Sequence, residues 1–425
     1  MNKYLNDAIN INEKLLKHYH YLHQNPEIGF NLDKTYEYVY NELKKLNLSP
    51  VSCGKKGLFV DIGNGKNIIL IRADMDALPI TEDTKLSYKS NNENMHACGH
   101  DIHTSMLLGT AEVLSKCKFD GKIRLMFQPA EEILEGAKDM IANNVLEDVK
   151  CAFMLHVMPN TQLETGTLIV PPSGIITPFC DNFTITLNGK STHGGMPHLG
   201  IDLFSVSSLI ILSLQNIKSR ELNLSEKVVL SIGEISGGDT YNVIPDTLII
   251  KGMIRSYSED IRDFVKSRVE QIINGICISY NVKYIFKIDQ SVVAFHNDEN
   301  LRTLTLEIIK NNDIYYNIVK QDNDLSGGSE DFAEVSKIIP TNLFMLCAGK
   351  KDDGYEYNIH HPKTIFDSEV LKYGVAINVT LGIELSKKYK WNWIKLQFFC
   401  WKFKYKIYMK WYNRNIEIGK PLVLF

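Results

Sequence analysis

The run Met95-His96-Ala97-Cys98-Gly99-His100-Asp101-Ile102-His103 holds a thiol, three imidazoles and a carboxylate within nine residues. Downstream, Phe127-Gln128-Pro129-Ala130-Glu131-Glu132 ends an apolar stretch in two adjacent carboxylates. Thiolate, imidazole and carboxylate together are the ligand set of a zinc-like or manganese-like centre with a general base beside it. Cys98 and His100, two positions apart, can converge on one ion because Gly99 lets the backbone turn sharply between them. A thiol that binds metal is deprotonated by the ion itself. Adjacent side chains diverge, so one of Glu131 and Glu132 can hold metal while the other faces substrate. We assign Glu131 as general base and Glu132 as ligand; spacing alone is equally compatible with the reverse.

His156 closes the apolar run Phe153-Met154-Leu155 at a strand end, where α/β active sites gather, and reads as a further ligand. His360-His361-Pro362 supplies another: consecutive side chains point apart in extended chain before proline, so only one of the two binds metal. Asp74 and Asp76 follow the apolar run Ile68-Ile69-Leu70-Ile71, where a carboxylate can orient a ligating histidine, Asp76 being the stronger candidate. Asp101 can do the same, bridge two ions, or cap a helix. His193 sits in the glycine turn Ser191-Thr192-His193-Gly194-Gly195-Met196-Pro197, and Asn242 in Thr240-Tyr241-Asn242-Val243-Ile244-Pro245. Arg255 ends an apolar strand, and its planar fork can grip a substrate carboxylate with two hydrogen bonds.

These residues need elements to hold them. Residues 4–23 and 33–47 have helical periodicity, broken at Asn25-Pro26-Glu27; 58–60, 68–71, 123–127 and 152–155 read as buried strands, and 106–114 as helix. Such alternation implies an α/β sheet covered on both faces. Near residue 180 the pattern changes. Phe183, Ile185 and Leu187 alternate with Thr184, Thr186 and Asn188, a strand with one wet face. A helix over about 201–219, strands at 227–233 and 247–254, a helix at 258–279 and a strand at 282–289 complete βαββαβ, the ferredoxin-like order. The expected organisation is therefore a catalytic α/β domain with a mixed sheet flanked by helices (1–178 and 293–386), interrupted by an inserted ferredoxin-like domain (179–292).

The bulk composition restricts the remaining choices. Of 425 residues 44% are hydrophobic and 23% charged, with net charge -3, which is ordinary for a globular chain and gives no electrostatic footprint for nucleic acid. No apolar run reaches the roughly 20 residues of a membrane span, and the N-terminus has no signal-peptide core. Eight cysteines without a CxxC pair point to reduced thiols and a cytoplasmic setting. Residues 387–425 stand apart: all four tryptophans lie there among ten Lys and Arg and one acid, Glu417. The plainest reading of this basic aromatic tail is a non-native extension. Contact with a membrane surface or nucleic acid, or packing on the catalytic domain, are the alternatives.

From Leu22-His23-Gln24-Asn25-Pro26-Glu27 to His361-Pro362-Lys363, the chain resembles the metal-dependent aminoacylase and carboxypeptidase family, in its hippurate hydrolase and auxin-conjugate amidohydrolase branch. The resemblance covers about residues 10–385 and rests on MHACGHDIH, FQPAEE and STHGGMPH. It implies two divalent ions (Mn²⁺ or Zn²⁺, with Co²⁺ or Ni²⁺ also compatible) held by Cys98, His100, Glu132, His156 and His360, and Glu131 as proton shuttle. It also implies a homodimer formed through the inserted domain, with His193 and Asn242 helping to bind substrate or its oxyanion. The broad family usually has histidine where Asp74 stands; the branch with Cys98 has this aspartate. The expected activity is hydrolysis of the amide bond of N-acyl-L-amino acids by a metal-activated water. N-acetyl-diaminopimelate deacetylation and dipeptide or carboxypeptidase cleavage use the same chemistry. Cysteine-nucleophile hydrolysis through Cys98 and a non-catalytic metal-binding role are rivals of other kinds.

Overall fold

Seven consecutive buried residues, Ile68–Asp74, form a central strand of the larger sheet. Side chains alternate across a strand, so burial on both faces demands an apolar residue at nearly every position. Ile69, Ile71 and Ala73 enter a core shared with helices Lys3–Asn10, Asn12–Gln24, Asp33–Lys45, His100–Ser115, Glu299–Asn311 and Val370–Lys388. Ile68 and Leu70 enter a second core on the opposite face, under helix Gly136–Ala142 and the short helix Ala333–Ser336. The computed structural model describes residues 3–312, 318–320 and 328–388. Apart from Lys387 and Lys388, the expectation for the 387–425 tail lies outside the described residues.

The larger sheet is mixed and has the order 51–53, 57–63, 122–128, 68–74, 149–158, 341–347, 168–170, 318–320. Its four central strands, Lys122–Gln128, Ile68–Asp74, Val149–Met158 and Thr341–Cys347, are mutually parallel. Parallel strands release their C-terminal ends on one edge, which is where an open α/β sheet forms its crevice. Asp74, Gln128 and Met158 end three of these strands.

The second sheet is antiparallel throughout, in the order Val228–Ser236, Thr247–Ser256, Phe179–Asn188, Lys283–Val292. With helices Leu203–Asn216 and Glu259–Ser279 between its strands, the chain order is βαββαβ and the strand order is ferredoxin-like. Both helices have side-chain caps: Asp202 accepts from the Phe204 and Ser205 amides, and Ser258 from the Ile261 amide. Phe183, Ile185 and Leu187 pack under the helices, leaving the other face of this sheet without a helical layer among the described residues.

Two expectations need correction. The N-terminal periodic stretch is two helices that break at Ile11, not one. The helix expected at Met106 begins six residues earlier, at His100, so His100, Asp101 and His103 belong to it. No helix among the described residues is long and apolar enough to cross a membrane.

Helix His100–Ser115 is buried along nearly its whole length. It meets its neighbours at Gly109, where an added Cβ would lie 2.3 Å from Leu15 Cδ2 and 2.8 Å from Val375 Cγ2. Overpacking of this kind typically costs about 1–3 kcal/mol. Gly109→Leu should therefore lower the unfolding free energy by an amount in that range, read as a fall in the urea midpoint at constant m-value. An unchanged midpoint would show that these three helices can separate freely.

Candidate metal centre

The candidate ligands come from the turn into one helix, two loops and one strand end that meet at the C-terminal edge of the parallel strands. Gly99 has φ +88, and a Cβ there would sit 2.5 Å from Val157 Cγ2, so only glycine makes this turn. The turn puts Cys98 just before the helix and His100 at its first residue. Glu131 and Glu132 follow the strand Lys122–Gln128 through Ala130, itself at φ +55. His156 is near the end of its strand, and His360, at φ +64, comes from the loop before the last helix. The His360 amide donates to Ala97 O at 2.9 Å, which ties this loop to the Cys98 turn.

Cys98 Sγ is the shared point. It lies 3.5 Å from His156 Nε2 and 3.3 Å from His360 Nε2. Donor atoms of Cys98, His100 and His156 fall within 4.8 Å of one another, and so do those of Cys98, Glu132 and His360. Hydrogen bonds at the far side of two rings set their tautomers. His100 Nδ1 donates to Asp76 O at 2.9 Å and His156 Nδ1 donates to Val157 O at 2.8 Å, leaving each Nε2 lone pair toward the cluster. His361 stacks on Tyr357 with ring centroids 4.4 Å apart, and His360 is the member of the pair at the cluster.

The aspartates divide their work. Asp76 Oδ1 and Oδ2 accept the amides of Glu131 and Glu132 at 2.9 and 3.1 Å, so one buried carboxylate holds the turn that carries both glutamates. Asp74 accepts from Arg72 at 2.5 Å and from His103 Nδ1 at 2.6 Å. Because His103 Nε2 accepts the Val157 amide at 2.8 Å, both nitrogens of that ring are engaged and it has no lone pair for an ion. Asp101 does not face the cluster. Its carboxylate receives His23 Nδ1 at 2.6 Å and the Ile102 amide at 2.8 Å, which corrects its expected place beside the ligands.

Sequence reading missed the partners of Arg72. This buried guanidinium also reaches Glu330 at 2.9 Å and Asp331 at 3.2 Å, and carboxylate oxygens of Glu131, Glu330 and Asp331 lie within 4.8 Å of one another. An arginine inside an apolar strand was the available signal, since a buried charge requires a partner. The run Gly328-Ser329-Glu330-Asp331-Phe332 has no comparable mark in its spacing.

Electrostatics favour cations here. Burial pushes Glu131 well above the usual carboxyl range, helped by Glu330 and Glu132. Burial also carries Glu132 up to about 7 against the pull of His100. For His100 burial is outweighed by Asp74 and Cys98, so positive charge at this ring is favoured, and an ion on the Nε2 lone pair would take the place of a proton there. His156, buried and repelled by His103, drops to about 3, and is a neutral ring with a lone pair to give. Burial pushes the Cys98 thiol up, the reverse of what a free nucleophilic cysteine needs. Among the described residues, His100 Nε2 and Glu132 Oε1 are buried without a hydrogen-bond partner. Unpartnered donor atoms, soft and borderline ligand types and an excess of buried acid all fit divalent metal.

The wet face of the second sheet covers this site. Met253 and Arg255 on one strand, and Asn182 and Cys180 opposite them in register, line a cavity of about 650 Å³ together with Cys98, Glu131, Glu132, His156 and His360. His193 and Asn242 are not among the described residues that line it. They lie together elsewhere on the second sheet's unit, where the Gly194 amide donates to Asn242 O at 2.7 Å and His193 is exposed.

Residues 70–382 match the description of peptidase family M20/M25/M40. The chain belongs to this family. It is 34% identical over 360 residues to the N-acetyl-L-cysteine deacetylase of Bacillus subtilis, covering 83% of each chain. It is 34% identical over 401 residues to thermostable carboxypeptidase 2 of Saccharolobus solfataricus, covering 91% of this chain and 99% of that one. Among solved structures, the YXEP protein of Bacillus subtilis, described as a dinuclear metal binding peptidase from the M20 family, superposes with TM-score 0.74 at 29% identity, over 89% of this chain and 99% of that one. The chain is thus a metal-dependent M20 member of the aminoacylase type, a hydrolase of amide bonds.

Behind the M20 site, His23 is sandwiched between Asp101 at 2.6 Å and Glu82 at 3.3 Å, all three buried. Burial alone would lower the imidazole, but the two carboxylates outweigh it and raise His23 from 6.5 to about 9. A raised histidine stabilises fully below its unfolded value and loses that contribution as pH climbs through the folded value. At about 1.4 kcal/mol per unit the contribution is on the order of 3 kcal/mol, fading between pH 6.5 and about 9. In metal-saturated protein, the stability gap between wild type and His23→Gln, read from urea midpoints, should be largest near pH 6 and narrow by pH 9. A gap that widens with pH would reverse the sign of this interaction.

Proposed function

We propose that the chain cleaves N-acyl-L-amino acids at a two-ion centre held by Cys98, His100, Glu132, His156 and His360. The carrying observation is that Cys98 Sγ belongs to two donor clusters at once, with His100 and His156 on one side and Glu132 and His360 on the other. When bound, divalent ions polarise an acyl carbonyl and lower the pKa of a water toward ~7, and this donor set accepts Mn²⁺, Zn²⁺, Co²⁺ or Ni²⁺.

Glu131 takes the proton from the attacking water at a carboxylate oxygen and returns it to the amine nitrogen as the C–N bond breaks, giving a carboxylate and a free amino acid. Its raised proton affinity, from burial and from Glu330 and Glu132, suits both halves of that transfer. Asp76 fixes the position of the base by holding the Glu131 and Glu132 amides. Arg255, on the covering sheet, receives the carboxylate of the amino acid. Glu131→Gln should retain its metal content and lose ~10²–10⁴ in kcat, assayed by amine release from N-acetyl-methionine, hippurate, N-acetyl-diaminopimelate and a dipeptide after metal readdition. Full turnover by a metal-replete Glu131→Gln enzyme would overturn this role.

His193 and Asn242 act from a second copy. Supporting this, His193 is exposed and lies outside the lining of its own chain's cavity. The second sheet also ends in an edge strand, Val228–Ser236, with Val229 and Ile235 exposed, near a helix that exposes Phe204 and Leu212. Open edges and apolar faces of this kind pair with another chain. His193 then supplies a hydrogen bond where the oxyanion forms. Mixing inactive Glu131→Gln subunits with inactive His193→Ala subunits should restore activity, because the mixed dimer contains one intact site. No recovery in a mixture shown to exchange subunits would place His193 on its own chain's site.

A further inference from the structure

We propose that Gln290 is a positioning residue for this reaction, holding the Arg255-bearing face of the second sheet at a fixed distance from the turn that carries Glu131 and Glu132; this rests on the amidohydrolase reading above. Its side-chain amide is used at both ends. Gln290 Oε1 accepts from Asn182 Nδ2 at 2.8 Å, and Gln290 Nε2 donates to Ile133 O at 2.8 Å. Asn182 lines the cavity opposite Met253, and two positions along the same strands Cys180 lines it opposite Arg255. Ile133 directly follows Glu132. Asp76 holds the beginning of this turn through the Glu131 and Glu132 amides, and Gln290 holds its end from the other sheet.

The strand is built to present this side chain. Lys283–Val292 pairs with Phe179–Asn188, and the register shifts between Ile288 and Gln290, leaving Asp289 as the extra residue of a bulge. Bulges re-aim a side chain, and here Gln290 rather than Asp289 stands opposite Asn182. An amide offers an acceptor and a donor at separate atoms, whereas a carboxylate in its place would set an oxygen against Ile133 O. On the next cross-strand pair, Asp181 and Ser291 both meet Arg262 from helix Glu259–Ser279, and Lys138 Nζ donates to Ser291 O at 3.0 Å. The Lys138 contact keeps the strand end docked on the larger unit without Gln290, so the particular work of the amide is to link Asn182 to the glutamate turn. Gln290 is not among the described residues that line the cavity, and it acts through those two partners.

The experiment compares metal-loaded wild type and Gln290→Met on N-acetylmethionine and hippurate and on their carboxamide counterparts, which lack the carboxylate that Arg255 receives. Losing one hydrogen bond of ordinary strength changes a rate constant by roughly 2–10-fold. We expect Gln290→Met to retain its metal content and urea midpoint while its acid-over-amide ratio of kcat/KM falls by about that factor. In an Arg255→Gln background the same substitution should leave the ratio unchanged, because residues acting on one contact are not additive. Gln290→Glu keeps the acceptor for Asn182 and loses the donor to Ile133 O; it should lower the ratio as well, and it replaces Gln290→Met if that variant folds poorly. Hydrogen exchange at the Leu134 and Glu135 amides, which bond to Glu131 O and Ala130 O, gives a readout independent of turnover and should quicken in both variants. An unchanged ratio, or equal losses on acids and amides, overturns the inference and leaves the amidohydrolase reading intact. Absence of amine release by wild type from all four compounds counts against the amidohydrolase reading instead. Exchange at Leu134 and Glu135 then decides the inference alone, and no change there overturns it.

Discussion

Five carboxylates, those of Asp74, Glu131, Glu132, Glu330 and Asp331, are gathered at one sheet edge, and nearly all of them are buried. Charge of that density is stable inside a protein only if cations face it. Arg72 provides one, reaching Asp74, Glu330 and Asp331 from the middle of an apolar strand. It leaves Glu131 and Glu132 on the cavity side, where burial pushes both toward protonation and where His100 Nε2 has no partner. The fold thus neutralises one side of the cluster itself and presents the other to divalent metal. The raised proton affinity of Glu131, the proposed base, and the preference of this edge for cations have the same origin.

That arrangement depends on strand polarity. Three of the four parallel strands deliver Asp74, Gln128, His156 and the loop to Glu131 to one edge, and helix His100–Ser115 starts there. Each contact between these loops is then short-range. Asp76 grips the glutamate turn, His103 spans Asp74 and the Val157 amide, and the His360 amide docks on Ala97. Loops tied down by these contacts carry Cys98, Glu132 and His360, and hydrogen bonds behind the His100 and His156 rings select which nitrogen would face an ion.

The second sheet completes the site from above. One of its faces is filled by its own helices, and the other is free to look onto the crevice, where Met253 and Arg255 join the lining. The same unit holds His193 and Asn242 away from that cavity, beside an exposed edge strand and apolar helix positions.

Local chemistry and periodicity determined much of this from sequence. The βαββαβ order followed from alternation of Phe183, Ile185 and Leu187 with polar neighbours, because a one-sided sheet writes its period directly into the chain. The motif with Cys98 and His100, the pair Glu131–Glu132 and the strand-end His156 stood out as candidates because metal ligation needs rare residue types at fixed spacing, and the fold gathers their donor atoms at one edge. The start of the helix at His100 was not legible, since glycine and polar residues hide a helix N-terminus that tertiary burial stabilises. Only the fold assigned Asp101 to His23, chose His360 over its neighbour at the cluster, and joined Arg72 to Glu330 across more than 250 residues of chain. Those pairings are decided by which strand ends become neighbours in space, and the distance between two charges in sequence carries no record of it.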